Sequence, residues 1–98
     1  MTHEGSSRTV QAVQITLDVI QVLRDRRGAG VTELAEALGH SKGTIHGHLT
    51  TLLENGYLVK EGDTYHLSLR YFELASVARD RINIYSAVED ELAELKEE

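Results

Sequence analysis

The sequence predicts a mainly α-helical chain with one small β-hairpin, closing on a long C-terminal helix. Three observations predict it. Apolar residues recur at helical spacing in three segments between Val10 and Leu53, divided by glycine-bearing breaks at Gly28 to Gly30 and at Gly39. Two short strand-like runs, Tyr57 to Lys60 and Thr64 to Leu67, flank the polar tip Glu61-Gly62-Asp63. From Tyr71 to Leu95 the apolar residues fall on a seven-residue repeat.

Taken in order, residues 1–7 are polar with Gly and Ser and are expected to be disordered. A first helix runs from Thr9 to about Arg26. It carries two apolar rows, Val10, Val13, Leu17 and Ile20 on one side and Ala12, Ile15, Val19 and Val22 nearly opposite. One row packs on the domain's own core. The second needs another cover, and Ile15, Val19 and Val22 are assigned here to a contact with a second copy of the chain. Asp at Val19 is then expected to leave a folded monomer. Arg26, Arg27 and Gly28 supply the bases and glycine that helix C-termini favour.

Thr32 is the expected N-cap of a short second helix, whose Leu34, Ala35 and Leu38 form one face and whose Gly39 suits a left-handed C-terminal position. Ser41 caps a third helix running to about Glu54, with Ile45, Leu49, Leu52 and Leu53 turned inward. The hairpin follows. The last helix starts at Ser68 or Leu69, and its stripe comprises Tyr71, Leu74, Ala78, Tyr85, Val88, Leu92 and Leu95, broken at Arg81. Two divisions are therefore expected after the N-terminal tail: a compact domain over 8–68 and a linker or dimerisation helix over 69–98.

Composition excludes several classes. There is no cysteine, so disulfides and thiolate metal sites are out. No apolar run approaches the roughly 20 residues that span a membrane, and the N-terminus lacks the apolar core of a secretory signal, so a cytoplasmic protein is expected. The five histidines form no HExxH or other ligand spacing, and no nucleophile, P-loop or dinucleotide motif is present. No catalytic residue, metal or cofactor is expected. Seven Arg against three Lys, with abundant acid, resembles the proteins of salt-loving microbes.

The formal charge of −6 argues at first against a nucleic acid partner, but it is unevenly spread. The final segment EDELAELKEE holds six acids and one Lys, whereas residues 37–53 form the longest acid-free stretch, 17 residues. That stretch contains SKGTIHGHLTT, the start and outer face of the third helix. An acid there would repel phosphate. Glycine inside a helix costs ~1 kcal/mol against alanine. Gly43 and Gly47 on an outward face therefore suggest close approach to another surface.

Helix, short helix, tight turn, helix and hairpin is the order of a winged helix-turn-helix, in which the third helix enters the major groove and the hairpin reaches flanking phosphates. The expected DNA-contacting residues are Ser41, Lys42, Gly43, Thr44, His46, Gly47 and Thr50, with Lys60 near the wing and Arg8 before the first helix. Tyr85 and Leu92 join Ile15, Val19 and Val22 as the expected dimerisation surface. Glu61 and Asp63 oppose deep entry of the wing into a minor groove. The Arg24, Arg26 and Arg27 cluster reads either as flanking phosphate contacts or, for Arg24 above all, as a solvated helix end.

The segments TVQAVQITLDVIQVL and GVTELAEALGHSKGTIHGHLTTLLENGYLVKEGDTYHLSLRYFELA resemble the N-terminal part of IclR-type transcriptional regulators, over roughly residues 8–78. The YHLSLRYFELA continuation is the more particular part. The resemblance implies a dimeric, operator-binding regulator built from this domain, a linker helix and a larger effector-binding domain. A small-molecule effector is expected only if such a further C-terminal domain exists. The chain is then a fragment ending in or after the linker helix, or a short stand-alone regulator. It departs from the family pattern, which usually has Ser at the position of Gly43 and commonly Arg at that of Gly47. Loss of that Arg shifts expected base readout toward Thr44, His46, His48 and Thr50. The alternative from another class is a winged-helix protein-interaction module that binds no DNA, in keeping with the acidic total.

Overall fold

The computed structural model describes residues 8–97, so the expectation of disorder for residues 1–7 lies outside the described residues. Two compact units divide the chain, one ending at Ser68 and the other beginning at Leu69.

In the first unit, helix α1 spans Gln11–Arg26. It ends where Arg27 turns left-handed (φ 59°) and returns its N–H to the Leu23 carbonyl. Gly28 follows at φ 124°, a conformation open to glycine alone, and a Cβ there would stand 2.5 Å from His66 Cε1. The turn delivers Ala29 beside Tyr65, where the two exchange backbone hydrogen bonds of 3.1 and 2.9 Å. This one-residue bridge widens the hairpin on its inner edge.

Helix α2 spans Val31–Leu38 and is capped by Gly30, not by Thr32 as the sequence suggested. The Ala29 bridge holds the chain extended up to Gly30, whose carbonyl accepts the Leu34 N–H at 3.0 Å, so helical geometry begins at once. Gly39 closes α2 in the left-handed region, φ 73°. Helix α3 spans Lys42–Glu54, and the Ser41 hydroxyl accepts the Thr44 N–H at 3.1 Å as a side-chain cap. Strands β1, Leu58–Glu61, and β2, Thr64–Leu67, pair antiparallel with Leu58 opposite Leu67 and Glu61 opposite Thr64. That register leaves the two-residue turn Gly62-Asp63, with Gly62 at φ 61° in the place glycine takes in type II′ turns.

The core of this unit gathers Ile15, Val19 and Leu23 from α1, Ala29, Leu34 and Ala35, Ile45, Leu49 and Leu52 from α3, and Leu58 and Tyr65 from the hairpin. This overturns the expected use of α1. Val19 is fully buried and Ile15 nearly so, inside their own chain, while Val22 is half-buried against the same cluster. Ile15 and Val19 cannot present themselves to a second copy, and Val22 turns toward the same core. The outward row is Val10, Val13 and Leu17, each at least half exposed. Both rows have helical period, so periodicity alone could not orient the helix. Leu23 extends the Ile15 and Val19 row to the end of α1, beside the turn that folds the chain back, and that row faces the other elements.

The second unit is one helix, α4, spanning Arg70–Glu97. Among the described residues no helix is long and apolar enough to cross a membrane.

Candidate nucleic-acid interface

The outer face of α3 is laid bare by the same packing that buries Ile45, Leu49 and Leu52. Ser41, Lys42, Gly43, Thr44, His46 and Gly47 are all exposed, and Thr50 is half-buried. Ser41 fixes the helix start twice over. Its hydroxyl oxygen takes the Thr44 N–H, and the hydroxyl donates to Thr44 Oγ1 at 3.0 Å. The remaining N–H groups of the first turn, with Lys42 beside them and no acid in that turn, form a positive pole directed outward.

Two grooves flank this face. On the α1 side, Ala12, Val13 and Thr16 face Gly43, Thr44, Gly47, His48, Thr51 and Leu52 across a space of about 490 Å³. A Cβ on Gly47 would touch nothing within 4 Å, and one on Gly43 would reach only Ser41 Oγ at 4.0 Å. Packing within the chain does not require either glycine. On the hairpin side, His46 and Lys60 border a second groove of about 510 Å³ with Thr32, Glu33, Asp63 and Thr64. The Lys60 ammonium sits 5.3 Å from the centre of the Tyr65 ring, which holds it against the wing. The structure thus brings Lys60 to the same groove as His46. Arg8 is exposed ahead of α1, at the end of that helix where Ala12 and Val13 line the other groove.

Three details were not foreseen. His48, considered above as a base reader, is half-buried, and its Nδ1 lies 2.7 Å from Thr16 Oγ1 on α1. The Thr16 hydroxyl donates to the Ala12 carbonyl at 3.1 Å. The 2.7 Å contact ties the His48 imidazole to the Thr16 hydroxyl across the two helices. His48 is a strut between α1 and α3 rather than a free reader. Secondly, Arg24 pairs with Asp25 and Arg26 with Glu33, each at 2.9 Å, so those two bases already have acidic partners. Thirdly, the Glu33 carboxylate that lines the hairpin-side groove is the one Arg26 engages. The Arg26–Glu33 and Thr16–His48 pairings join residues seven and 32 apart along the chain, and no local spacing announces them.

The family model described as the IclR helix-turn-helix domain matches residues 12–62, more than half of the chain. The chain belongs to the IclR family. Among IclR-type relatives, the HTH-type transcriptional regulator KdgR of Dickeya chrysanthemi is 30% identical over 89 residues, covering 89% of this chain and 29% of that protein. ArcR of Halobacterium salinarum is 28% identical over 94 residues, covering 95% of this chain and 36% of that protein. The crystal structure of an IclR transcriptional regulator from Alicyclobacillus acidocaldarius superposes with a TM-score of 0.67 at 27% identity, over 71% of this chain and 30% of that one. The chain spans about a third of the length of these relatives.

Proposed function

We propose that this IclR-family chain binds double-stranded operator DNA as a homodimer and regulates transcription, with α3 of each copy set in a major groove. One observation carries the reading. The face from Ser41 to Thr51 is acid-free and largely exposed, and it stands between two open grooves in an otherwise acidic molecule. Membership of the family and relatedness to proteins called transcriptional regulators support it. On α3, Lys42 and the helix N-terminus meet phosphate, Thr44, His46 and Thr50 meet base edges, and Gly43 and Gly47 let the backbone come close. Lys60 and Arg8 add flanking phosphate contacts. The Lys-poor, acid-rich composition and the Halobacterium relative support a salt-rich cell interior as the setting.

The test is selection of bound DNA from a random pool, followed by gel shifts with Lys42→Glu. One attraction becomes one repulsion, each about 1 kcal/mol at 4 Å in water, so two subunits lose about 4 kcal/mol, near a thousandfold in affinity. Unchanged affinity for the selected site removes α3 from the interface.

A further inference from the structure

Helix α4 carries an apolar stripe on its open surface: Leu74 is 53% exposed, Tyr85 55%, Val88 48% and Leu92 54%. The stripe follows two alternating core positions of a seven-residue repeat. Tyr71, Ala78, Tyr85 and Leu92 hold one position, and Leu74, Arg81, Val88 and Leu95 hold the other. We propose that α4 pairs antiparallel with α4 of a second copy of this chain, about a two-fold axis at residue 83, so that Arg81 of each copy meets Tyr85 of the other. The proposal rests on the homodimer reading above and specifies its geometry.

Two observations select this arrangement over a parallel one, and the length of α4 suits its register. The first is charge. Residues 70–83 hold three bases against two acids, and residues 84–97 hold one base against five acids. A parallel pair sets acidic half on acidic half, whereas an antiparallel pair sets it on the half with a slight excess of base.

The second is the content of each layer. A parallel pair faces Arg81 with Arg81 in the middle of an apolar seam, and Ala78 with Ala78. Reversing one helix about residue 83 puts Tyr71 with Leu95, Leu74 with Leu92, Ala78 with Val88 and Arg81 with Tyr85. The small alanine then meets valine, and the guanidinium meets a ring. Within each chain Arg81 already lies over its own Tyr85, 5.0 Å from the ring centre, with Nη2 3.4 Å from the hydroxyl. The cation therefore enters the seam stacked on an aromatic face that stabilises it.

The midpoint of Arg70–Glu97 falls between residues 83 and 84, so an axis at residue 83 uses the whole helix but for its last residue. Ile82 and Ile84, both exposed, flank the axis and meet their own counterparts beside a hollow of about 530 Å³ lined by Val77, Asp80, Arg81, Ile84 and Tyr85. The Tyr71 residues, where each helix takes up the chain from its winged unit, then stand about 36 Å apart at a rise of ~1.5 Å per residue.

The chain has no cysteine, so introduced thiols report cleanly. Leu74→Cys and Leu92→Cys are made singly in the full chain, at exposed positions outside the winged core. Each is oxidised alone and after co-incubation with the other, and the unaltered chain is sedimented in parallel. The expected result is a covalent dimer from the mixture and little from either variant alone, with Ile84→Cys linking to itself across the axis. Self-linking by Leu74→Cys or Leu92→Cys shows a parallel pair and overturns the proposal. No linking in any sample, while sedimentation still gives a dimer, also overturns it but leaves the homodimer reading standing on another surface. A monomer by sedimentation removes both.

Discussion

Aspartate at Val19 decides which side of α1 faces inward. Val19 is fully buried among Leu23, Leu34, Ile45 and Leu49, and no polar or charged residue is buried among the described residues to share a proton with a carboxylate. The substitution removes the burial of one valine, worth about 1.5–3 kcal/mol. It also leaves a carboxyl group in an apolar site, where an uncompensated polar group costs about 2–7 kcal/mol even after it takes up a proton. The sum, about 4–10 kcal/mol, is comparable to the whole stability of a domain this small, at about 0.05–0.15 kcal/mol per residue. Val19→Asp is therefore expected to unfold the winged unit rather than release a folded monomer. Leu17→Asp, two residues away on the exposed row, is expected to keep the fold. Thermal melting by circular dichroism reads both. A Val19→Asp protein that melts within a few degrees of the unaltered chain would refute the inward placement of the Ile15, Val19 and Leu23 row.

Two further substitutions probe the turn and the recognition face. Gly28→Ala is expected to lower stability by about 2 kcal/mol or more, because φ 124° and the His66 ring 2.5 Å away both oppose a Cβ; the urea midpoint measures it. Gly47→Arg enters open space, so it is expected to raise the melting temperature through helix propensity, tighten binding to the selected DNA about tenfold, and steepen the salt dependence by about one phosphate. A shallower salt slope would contradict the placement of Gly47 toward the groove.

Much of this molecule is legible residue by residue. Ser41 as a cap, Gly39 as a left-handed stop, the Thr64–Leu67 strand and the inward set Ile45, Leu49 and Leu52 all follow from local chemistry, since each depends on neighbours within one helical turn or one hairpin. The acid-free outer face of α3 is equally a property of the string of letters. The N-cap of α2 was misplaced because Gly30 is set by pairing between Ala29 and Tyr65, 36 positions apart.

Local pattern therefore prescribed which segments are helices, where they stop and which face of α3 carries no acid. Long-range packing chose between the two apolar rows of α1, turned His48 into a strut on Thr16, and withdrew Ile15 and Val19 from any partner. A helical period records that a face is apolar, but not which neighbour will cover it. That choice is made by the volume and position of the elements that close around the helix, and these depend on residues far away along the chain.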